Sequence, residues 1–347
     1  MKLRLDQNNF DACPQYNEWL DELYAEKSGQ LDILGFKPRP CFVLFTLSPE
    51  TYQASFDDFQ RQREEELKEL VFSDFPSPIA HYFYRFENGY ENDLQRLLLL
   101  RDSWEAVIDV LHAITIAECR FLTLSLPEPI AFKDLLSDSV AQRLLNIERI
   151  VACAKGRRIH LEVEDIISMS TLQLMRELNQ SRNAFSHSAA QSELQARTWI
   201  GECYEDVINV LDDLRGLANV RIGRHIGQID ATTLRCEIFR GHGFTKTINS
   251  ISLTNDQVRE SHRYLQNGQV LAFCPQRVIG LRPLVHYRED AHGHTTKLCM
   301  FRKTGGNAPN RRIEYEVVGE SARRDEDRDM FKAEIDELRR LFGLQPD

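Results

Sequence analysis

An arginine and a histidine lie five positions apart in the segment Arg-Asn-Ala-Phe-Ser-His, residues 182–187. The guanidinium of Arg182 stays cationic and presents a fork of donors that fits phosphate oxygens. The imidazole of His187, with an ordinary pKa of about 6.5, can take up and release a proton at neutral pH. Asn183 can hydrogen-bond the histidine or a phosphate oxygen. Together the three side chains suit chemistry at a phosphate group.

The spacing alone does not single out this pair, because 33 arginines and 10 histidines in 347 residues give about one such pair by chance. The position of Arg182 carries more weight. It continues an apolar stripe formed by Met175, Leu178 and Phe185, and a guanidinium on a packing face is costly to bury without an anionic partner. One alternative is a structural helix end, in which Arg182 pairs with a carboxylate such as Asp165.

Arg182 and His187 are separated by about 140° around an ideal helix, so they diverge on one chain unless the helix ends between them. Two such helices packed across a two-fold axis would place two arginines and two histidines around one cleft. We therefore expect a homodimer in which each chain supplies half of the site.

With this motif in the third of four amphipathic helices, residues 80–218 resemble a HEPN domain. In that family the arginine, the polar residue after it and the histidine form a metal-independent endoribonuclease site at a homodimer interface. The resemblance implies that Arg182, Asn183 and His187 are catalytic, that RNA is the substrate, and that no cofactor or metal is required. The segment 75–80 and the C-terminal region also resemble bacterial HEPN proteins linked to phage defence.

The implied reaction is attack of the RNA 2′-hydroxyl on the adjacent phosphate, which leaves 2′,3′-cyclic phosphate ends and proceeds in EDTA. Because unrestrained RNA cleavage is toxic, the resemblance implies a toxin or an antiviral defence effector, with a protein inhibitor or activator as a further candidate partner. The alternative is a catalytically inactive HEPN-like dimerisation protein whose C-terminal domain binds a partner.

Hydrophobic periodicity predicts the elements that would position the motif. Apolar residues recur every three or four positions between Asn92 and Leu126, and similar spacing predicts helices at 130–155, 168–187 and 191–218. These four helices would form a central all-α bundle. Upstream, Pro40–Leu47 predicts a strand, and a charged helix follows at 51–72.

Beyond residue 230 the pattern changes to the alternation and turn residues typical of strands. The predicted strands are Thr233–Phe239, Lys246–Leu253, Gln269–Phe273, Val278–Tyr287, Lys297–Arg302 and Arg311–Val318. The segment Glu326–Leu341 returns to helical spacing and would cap the sheet. The expected fold class is α+β, with a small mixed N-terminal segment (1–79), a HEPN-like helical domain (80–220) and a β-rich C-terminal domain (221–347).

Charge is unevenly distributed in this chain of net charge −10. The first 220 residues hold 22 basic and 36 acidic side chains, and the remainder holds 21 and 17. The acidic balance argues against broad attraction to RNA and favours a local basic cleft or a site that needs activation. Basic and aromatic residues between Arg282 and Tyr315 could line an RNA-binding face or flank a core.

His292 and His294 could ligate a metal ion. They flank a glycine between two predicted strands, which favours a hairpin turn over a metal site.

Several classes of protein are excluded by absent patterns. No stretch of 18 uncharged apolar residues predicts a membrane span, and Asp6 interrupts any signal-peptide core. The eight cysteines are scattered, with none of the pairings typical of zinc or redox sites, so we expect reduced thiols and a cytoplasmic protein. The chain has neither the phosphate loop of ATPases nor a Gly-x-Ser-x-Gly elbow.

Overall fold

The computed structural model describes residues 10, 13–24, 39–125, 132–188, 192–244, 247–289, 295–305, 312–320 and 323–342. Within these ranges, the side chains at 132, 133, 181–188, 305, 323–325 and 327–329 are outside the described part. The chain divides into two compact units, Met1–Glu69 and Leu70–Asp347. It is an α+β protein, with helices followed by antiparallel sheets.

The first unit is helical in its described part, with α1 (Pro14–Leu23), α2 (Pro40–Leu47) and most of α3 (Pro49–Asp74). Tyr16, Tyr52, Phe56 and Phe59 form its aromatic core. The strand predicted at Pro40–Leu47 is wrong. A short apolar run has no diagnostic period, and here Pro40 occupies the first helical turn, where its missing N–H leaves no bond unmade.

The helices of the second unit begin with α4 (Ser77–Asn88), α5 (Asp93–Phe121) and the short α6 (Phe132–Leu135). They continue with α7 (Val140–Gly156), α8 (Met169–Ser188) and α9 (Glu193–Asp213). Asn92, Ser139 and Ser192 cap α5, α7 and α9, each accepting a hydrogen bond from the backbone N–H three residues on. Helices α5, α8 and α9 start within two residues of the predicted helices. The one continuous helix predicted over 130–155 is replaced by two helices, α6 and α7.

Four of these helices contact one another in a cycle: α5 packs on α7, α7 on α8, α8 on α9, and α9 on α5. Helix α5 is the centre of the unit, since it also packs on α4 and is buried along nearly its whole length. A helix buried on all sides is normally apolar. Helix α5 instead buries Asp109, His112, Glu118 and Arg120, so each of these must find a polar partner.

Nine strands of the second unit form two antiparallel sheets in its described part. The first sheet has the order β3-β2-β1-β4-β5 and the second the order β6-β7-β8-β9. The strands are β1 (Arg221–Gln228), β2 (Thr233–Phe239), β3 (Thr247–Ser252), β4 (Val270–Phe273), β5 (Val278–Gly280), β6 (Val285–Glu289), β7 (Thr296–Gly305), β8 (Arg312–Val317) and β9 (Arg323–Asp327). Helix α10 (Asn255–Ser261) lies between β3 and β4, and α11 (Lys332–Leu341) follows β9.

The sheets confirm the predicted β character of the C-terminal region and differ from the prediction in three places. Strand β1 was missed because Gly223 and Gly227 interrupt its alternation. A Cβ at Gly223 would lie 2.8 Å from the side chain of Ile238, so the tight contact between β1 and β2 requires glycine. The predicted strand 278–287 is split into β5 and β6. Strand β9 occupies part of the segment expected to be helical, and the helix starts only at Lys332.

Buried charges of α5 join the helices to the sheets. The Glu118 carboxylate, fully buried, accepts hydrogen bonds from Arg277 Nη1 at 2.7 Å and from the backbone N–H of Glu162 at 2.6 Å. At the end of α5, Arg120 donates to the carbonyl of Gly280 at 2.6 Å. These bonds satisfy groups that would be very costly to bury alone.

Candidate functional site

The three motif residues, Arg182, Asn183 and His187, all belong to α8, which runs unbroken to Ser188. Their backbone is helical, and their side chains lie outside the described residues. Helix α8 starts after Ser168, whose Oγ accepts a hydrogen bond from the Thr171 N–H at 3.0 Å. The continuity of α8 means that the helix does not end between the arginine and the histidine.

The described part of α8 is anchored on two neighbouring helices. Met175 and Leu178, of the predicted stripe, are buried. Thr171 donates to Asp213 on α9 at 3.0 Å, and Arg176 forms an ion pair with Glu148 on α7. These contacts fix the helix that carries the motif.

Asn179 lies three and four residues before Arg182 and Asn183, which is one helical turn. It is 6% exposed, and its Oδ1 has no hydrogen-bond partner in the part of the chain that the structure describes. A buried amide oxygen without a donor is uncommon in folded proteins. The turn that precedes the motif therefore holds an acceptor with no donor among the described side chains.

Asp165, the carboxylate considered as a structural partner for Arg182, is engaged elsewhere. It lies in a 3-10 turn (Glu162–Asp165) before α8, and its Oδ2 is 3.1 Å from His160 Nε2. Both side chains are about half exposed, so this contact contributes little to stability.

A second candidate site is a polar cleft of about 470 Å³ between α4, α5 and the second sheet. Its lining is rich in charge of both signs: Tyr82, Arg85, Leu99, Arg101, Asp102, Glu105, Asp138, Arg302, Lys303, Glu314, Glu316, Gly319 and Glu320. The volume falls within the usual range for small-molecule sites. We call this space the charged cleft.

Arg302, on β7, organises the floor of the charged cleft. Its Nε donates to Glu316 Oε2 at 2.6 Å, and its Nη1 donates to Glu105 Oε2 at 3.1 Å. The Tyr82 hydroxyl donates to the other oxygen of Glu316 at 3.0 Å. Behind the floor, Asp109 forms an ion pair with Arg143. The floor is thus a fixed network of carboxylates and guanidinium groups.

Asp102 is incompletely compensated within this network. Arg101 donates to it through Nε at 3.1 Å and Nη2 at 2.8 Å, and both bonds end on Oδ1. Burial raises the pKa of Asp102, and the charges of Glu105 and Glu316 add to this effect, while Arg101 opposes it. The net rise in pKa means that the carboxylate is held in surroundings that disfavour its negative charge.

The charged cleft was not found by sequence reasoning, because its residues range from 82 to 320 along the chain. One signal was available. Asp102, Glu105 and Asp109 recur every three or four positions in the most apolar stretch of the sequence, which places three carboxylates on one face of a buried helix.

Other sequence expectations are answered in part. Three aromatic side chains of the region considered for an RNA-binding face, His286, Phe301 and Tyr315, are buried in the second sheet.

The hairpin turn expected at His292 and His294 lies outside the described residues, which omit 290–294. The strands on either side of it, β6 and β7, are antiparallel neighbours. Within the described ranges, no three His, Cys, Asp or Glu side chains converge as they would around a metal ion. The eight cysteines are free thiols.

Among the helices that the structure describes, none combines the length and apolar composition needed to cross a bilayer. Comparison of the chain with protein-family models, with curated proteins and with solved structures gave no match.

Proposed function

We propose that the protein is a metal-independent endoribonuclease of the HEPN type, with Arg182, Asn183 and His187 as its catalytic residues. The observation that carries the proposal is the position of the motif. It occupies the last two turns of α8, and α8 is one member of a cycle of four mutually packed helices. Such a cycle is what a four-helix bundle requires, and it supports a HEPN-like fold for this region.

The proposed reaction needs only proton transfer and charge stabilisation from the protein. The 2′-oxygen of RNA forms a bond to the adjacent phosphorus, and the bond from phosphorus to the 5′-oxygen breaks. His187 moves the proton between the attacking and leaving oxygens. Arg182 stabilises the extra negative charge on the phosphate, and Asn183 orients the histidine or the phosphate. The products are a 2′,3′-cyclic phosphate and a 5′-hydroxyl.

The continuity of α8 favours a site shared between two chains. On an unbroken helix Arg182 and His187 are about 140° apart in rotation and about 7.5 Å apart along the axis. A two-fold axis beside α8 would bring the arginine of one chain to the histidine of the other. We therefore propose a homodimer whose interface contains the catalytic residues.

The first test incubates purified protein with total RNA and with tRNA in EDTA, followed by mapping of the cleaved ends. Wild type should produce cyclic-phosphate ends, whereas His187→Ala and Arg182→Ala should lose cleavage by at least a hundredfold, as expected for a general acid–base or an electrostatic residue. Both variants should keep the dimer, which size-exclusion chromatography with light scattering measures.

Two matched controls come from the same region. Arg157→Ala removes an exposed arginine at the C-terminal end of α7, and His160→Ala removes an exposed histidine from the segment before α8. Both should cleave like wild type. Equal cleavage by wild type, His187→Ala and Arg182→Ala would show that the motif is not the active site, whereas no cleavage by folded wild type would favour the inactive dimerisation protein.

As an RNA-cleaving enzyme the protein would act in the cytoplasm as a toxin or a phage-defence effector, restrained or triggered by a protein inhibitor or activator. Expression in bacteria tests this role. Wild type should stop growth, either constitutively or during phage infection, and His187→Ala should not.

A further inference from the structure

The charged cleft is a separate feature from the motif helix, and the inference drawn from it does not depend on the proposed function. Its walls come from α4, α5, β7, β8, the turn after β8 and the segment between α6 and α7. Its floor side chains are fixed by hydrogen bonds before any ligand enters, as in sites that are largely preformed.

The lining of the charged cleft carries more negative than positive charge. Six carboxylates belong to it, those of Asp102, Glu105, Asp138, Glu314, Glu316 and Glu320, against the four cationic groups of Arg85, Arg101, Arg302 and Lys303. The lining therefore has two more carboxylates than cationic groups.

The donors of Arg302, and those of Arg143 behind the floor, are largely committed. Every nitrogen of Arg302 faces Glu105 or Glu316. Arg143 directs Nε to the Ser137 carbonyl and Nη2 to the Phe301 carbonyl, besides its pair with Asp109. A ligand that reaches the floor therefore meets mainly acceptors, and an anionic group there would be repelled.

One acceptor remains unmatched on the wall. Asp102 Oδ2 accepts no hydrogen bond from the described residues, because Arg101 binds the other oxygen. Elsewhere on the lining, the part-exposed Arg85 guanidinium makes no ion pair or hydrogen bond within the described ranges. By contrast, Lys303 lies 3.9 Å from Glu314, and Glu320 forms ion pairs with Arg288 and Lys297. The cleft thus offers a mainly anionic lining and one cationic group that no described carboxylate binds.

We propose that the charged cleft binds a small organic cation, whose guanidinium or ammonium group donates to Asp102 Oδ2. The raised pKa of Asp102 supports this assignment, because a cation at that oxygen would relieve the unfavourable environment of the carboxylate. A carboxylate at the opposite end of the ligand would face Arg85. The ligand class is therefore amines and guanidines. Basic amino acids are the members of this class that could bind Asp102 through the side-chain cation and Arg85 through the carboxylate.

Isothermal titration calorimetry with the full chain tests this proposal, with agmatine and arginine as probes. Both carry the same guanidinium, and only arginine has a carboxylate. We expect both to bind the wild type. Asp102→Asn should weaken both by about tenfold or more, the usual effect of losing one charge-assisted hydrogen bond. Arg85→Ala should weaken arginine several-fold and leave agmatine within about twofold.

Asp256→Asn is the matched control, because Asp256 is an exposed carboxylate on α10, outside the cleft. It should bind both probes like wild type. Asparagine at 102 can still accept both Arg101 hydrogen bonds, and thermal unfolding checks that the variant folds. If it does not fold, Asp138→Asn at the exposed edge of the cleft replaces it, with a threefold or greater loss expected.

Three results would overturn the proposal. The first is no binding of either probe to folded wild type. The second is equal binding by wild type and the Asp102→Asn or Asp138→Asn variant. The third is binding of ATP or inorganic phosphate in place of the cationic probes, which would show that the cleft selects anions.

Discussion

His112, buried in the middle of α5, should make the protein less stable in mild acid than at neutral pH. It is 3% exposed, and its Nε2 lies 3.3 Å from Asn146 Nδ2. The Asn146 amide nitrogen also donates to the Asp134 carbonyl at 3.0 Å, and its oxygen accepts from Gln142. The arrangement fits an unprotonated Nε2 that accepts from Asn146. Protonation would set one N–H donor against another.

Burial lowers the pKa of His112 from 6.5 to about 3, and the positive charge of Arg143 contributes to this shift. As the pH falls through 6.5, His112 therefore takes up a proton in the unfolded chain and stays neutral in the folded chain. Stability is complete above pH 6.5 and is lost as the pH falls toward 3. At pH 5 the expected loss from this one residue is about 2 kcal/mol, obtained from the unfolded-state pKa alone.

Urea unfolding at pH 7.5 and pH 5.0, followed by tryptophan fluorescence, measures this loss. Other groups titrate in the same interval, so the quantity of interest is the difference between wild type and His112→Gln. The variant cannot titrate at this position, and its drop in unfolding free energy should be smaller by about 2 kcal/mol. His262→Gln, at an exposed histidine, should behave like wild type. Equal drops in wild type and His112→Gln would refute a buried neutral histidine.

Two further predictions concern stability. Arg277→Ala leaves the fully buried Glu118 carboxylate without its cation and should cost about 3–5 kcal/mol of unfolding free energy. Arg259→Ala removes one member of an exposed ion pair and should cost less than about 1 kcal/mol. Similar costs for the two variants, measured by urea unfolding, would contradict the importance of the buried pair. Gly319→Ala should lower the melting temperature, because Gly319 has φ +77° and a Cβ there would lie 2.5 Å from the Phe244 ring. Gly201→Ala, in α9 with nothing within 4 Å of the added Cβ, should raise stability by about 1 kcal/mol; a gain for Gly319→Ala or a loss for Gly201→Ala would contradict this account.

The helices with a clear apolar period could be predicted from the sequence, because each buries one face and begins at a capping residue. Helix α4 could not, since a proline disfavours helix at the residue before it, and Pro76 and Pro78 lie at the start of α4. Pro78 in fact lies in the first turn, where a missing N–H costs nothing. The run Pro40–Leu47 failed for a different reason. It is apolar on every side, so periodicity cannot distinguish helix from strand.

The two candidate sites differ in how far sequence can reveal them. Arg182, Asn183 and His187 lie within one turn and a half of each other, so their relation is visible in the sequence. The charged cleft is built from elements far apart in the sequence, brought together by the packing of α4 on α5, the pairing of β7 with β8 and the contact of Arg302 with α5. Charged side chains in the apolar stretch of α5 indicated that partners must exist. Their identity, Arg302 and Arg277, depended on tertiary structure.

The buried charges of α5 also bear on how the chain is made. Glu118 pairs with Arg277, Glu105 pairs with Arg302, and Arg120 bonds the carbonyl of Gly280, so the partners lie about 160 to 200 residues later in the chain. During synthesis α5 leaves the ribosome long before these partners exist. Until they are made, its charges must stay in water, which prevents the central helix from entering a core. A nascent or truncated chain ending before Arg277 therefore lacks a completed helical region, and any activity that depends on that region arises only once the C-terminal sheets have formed.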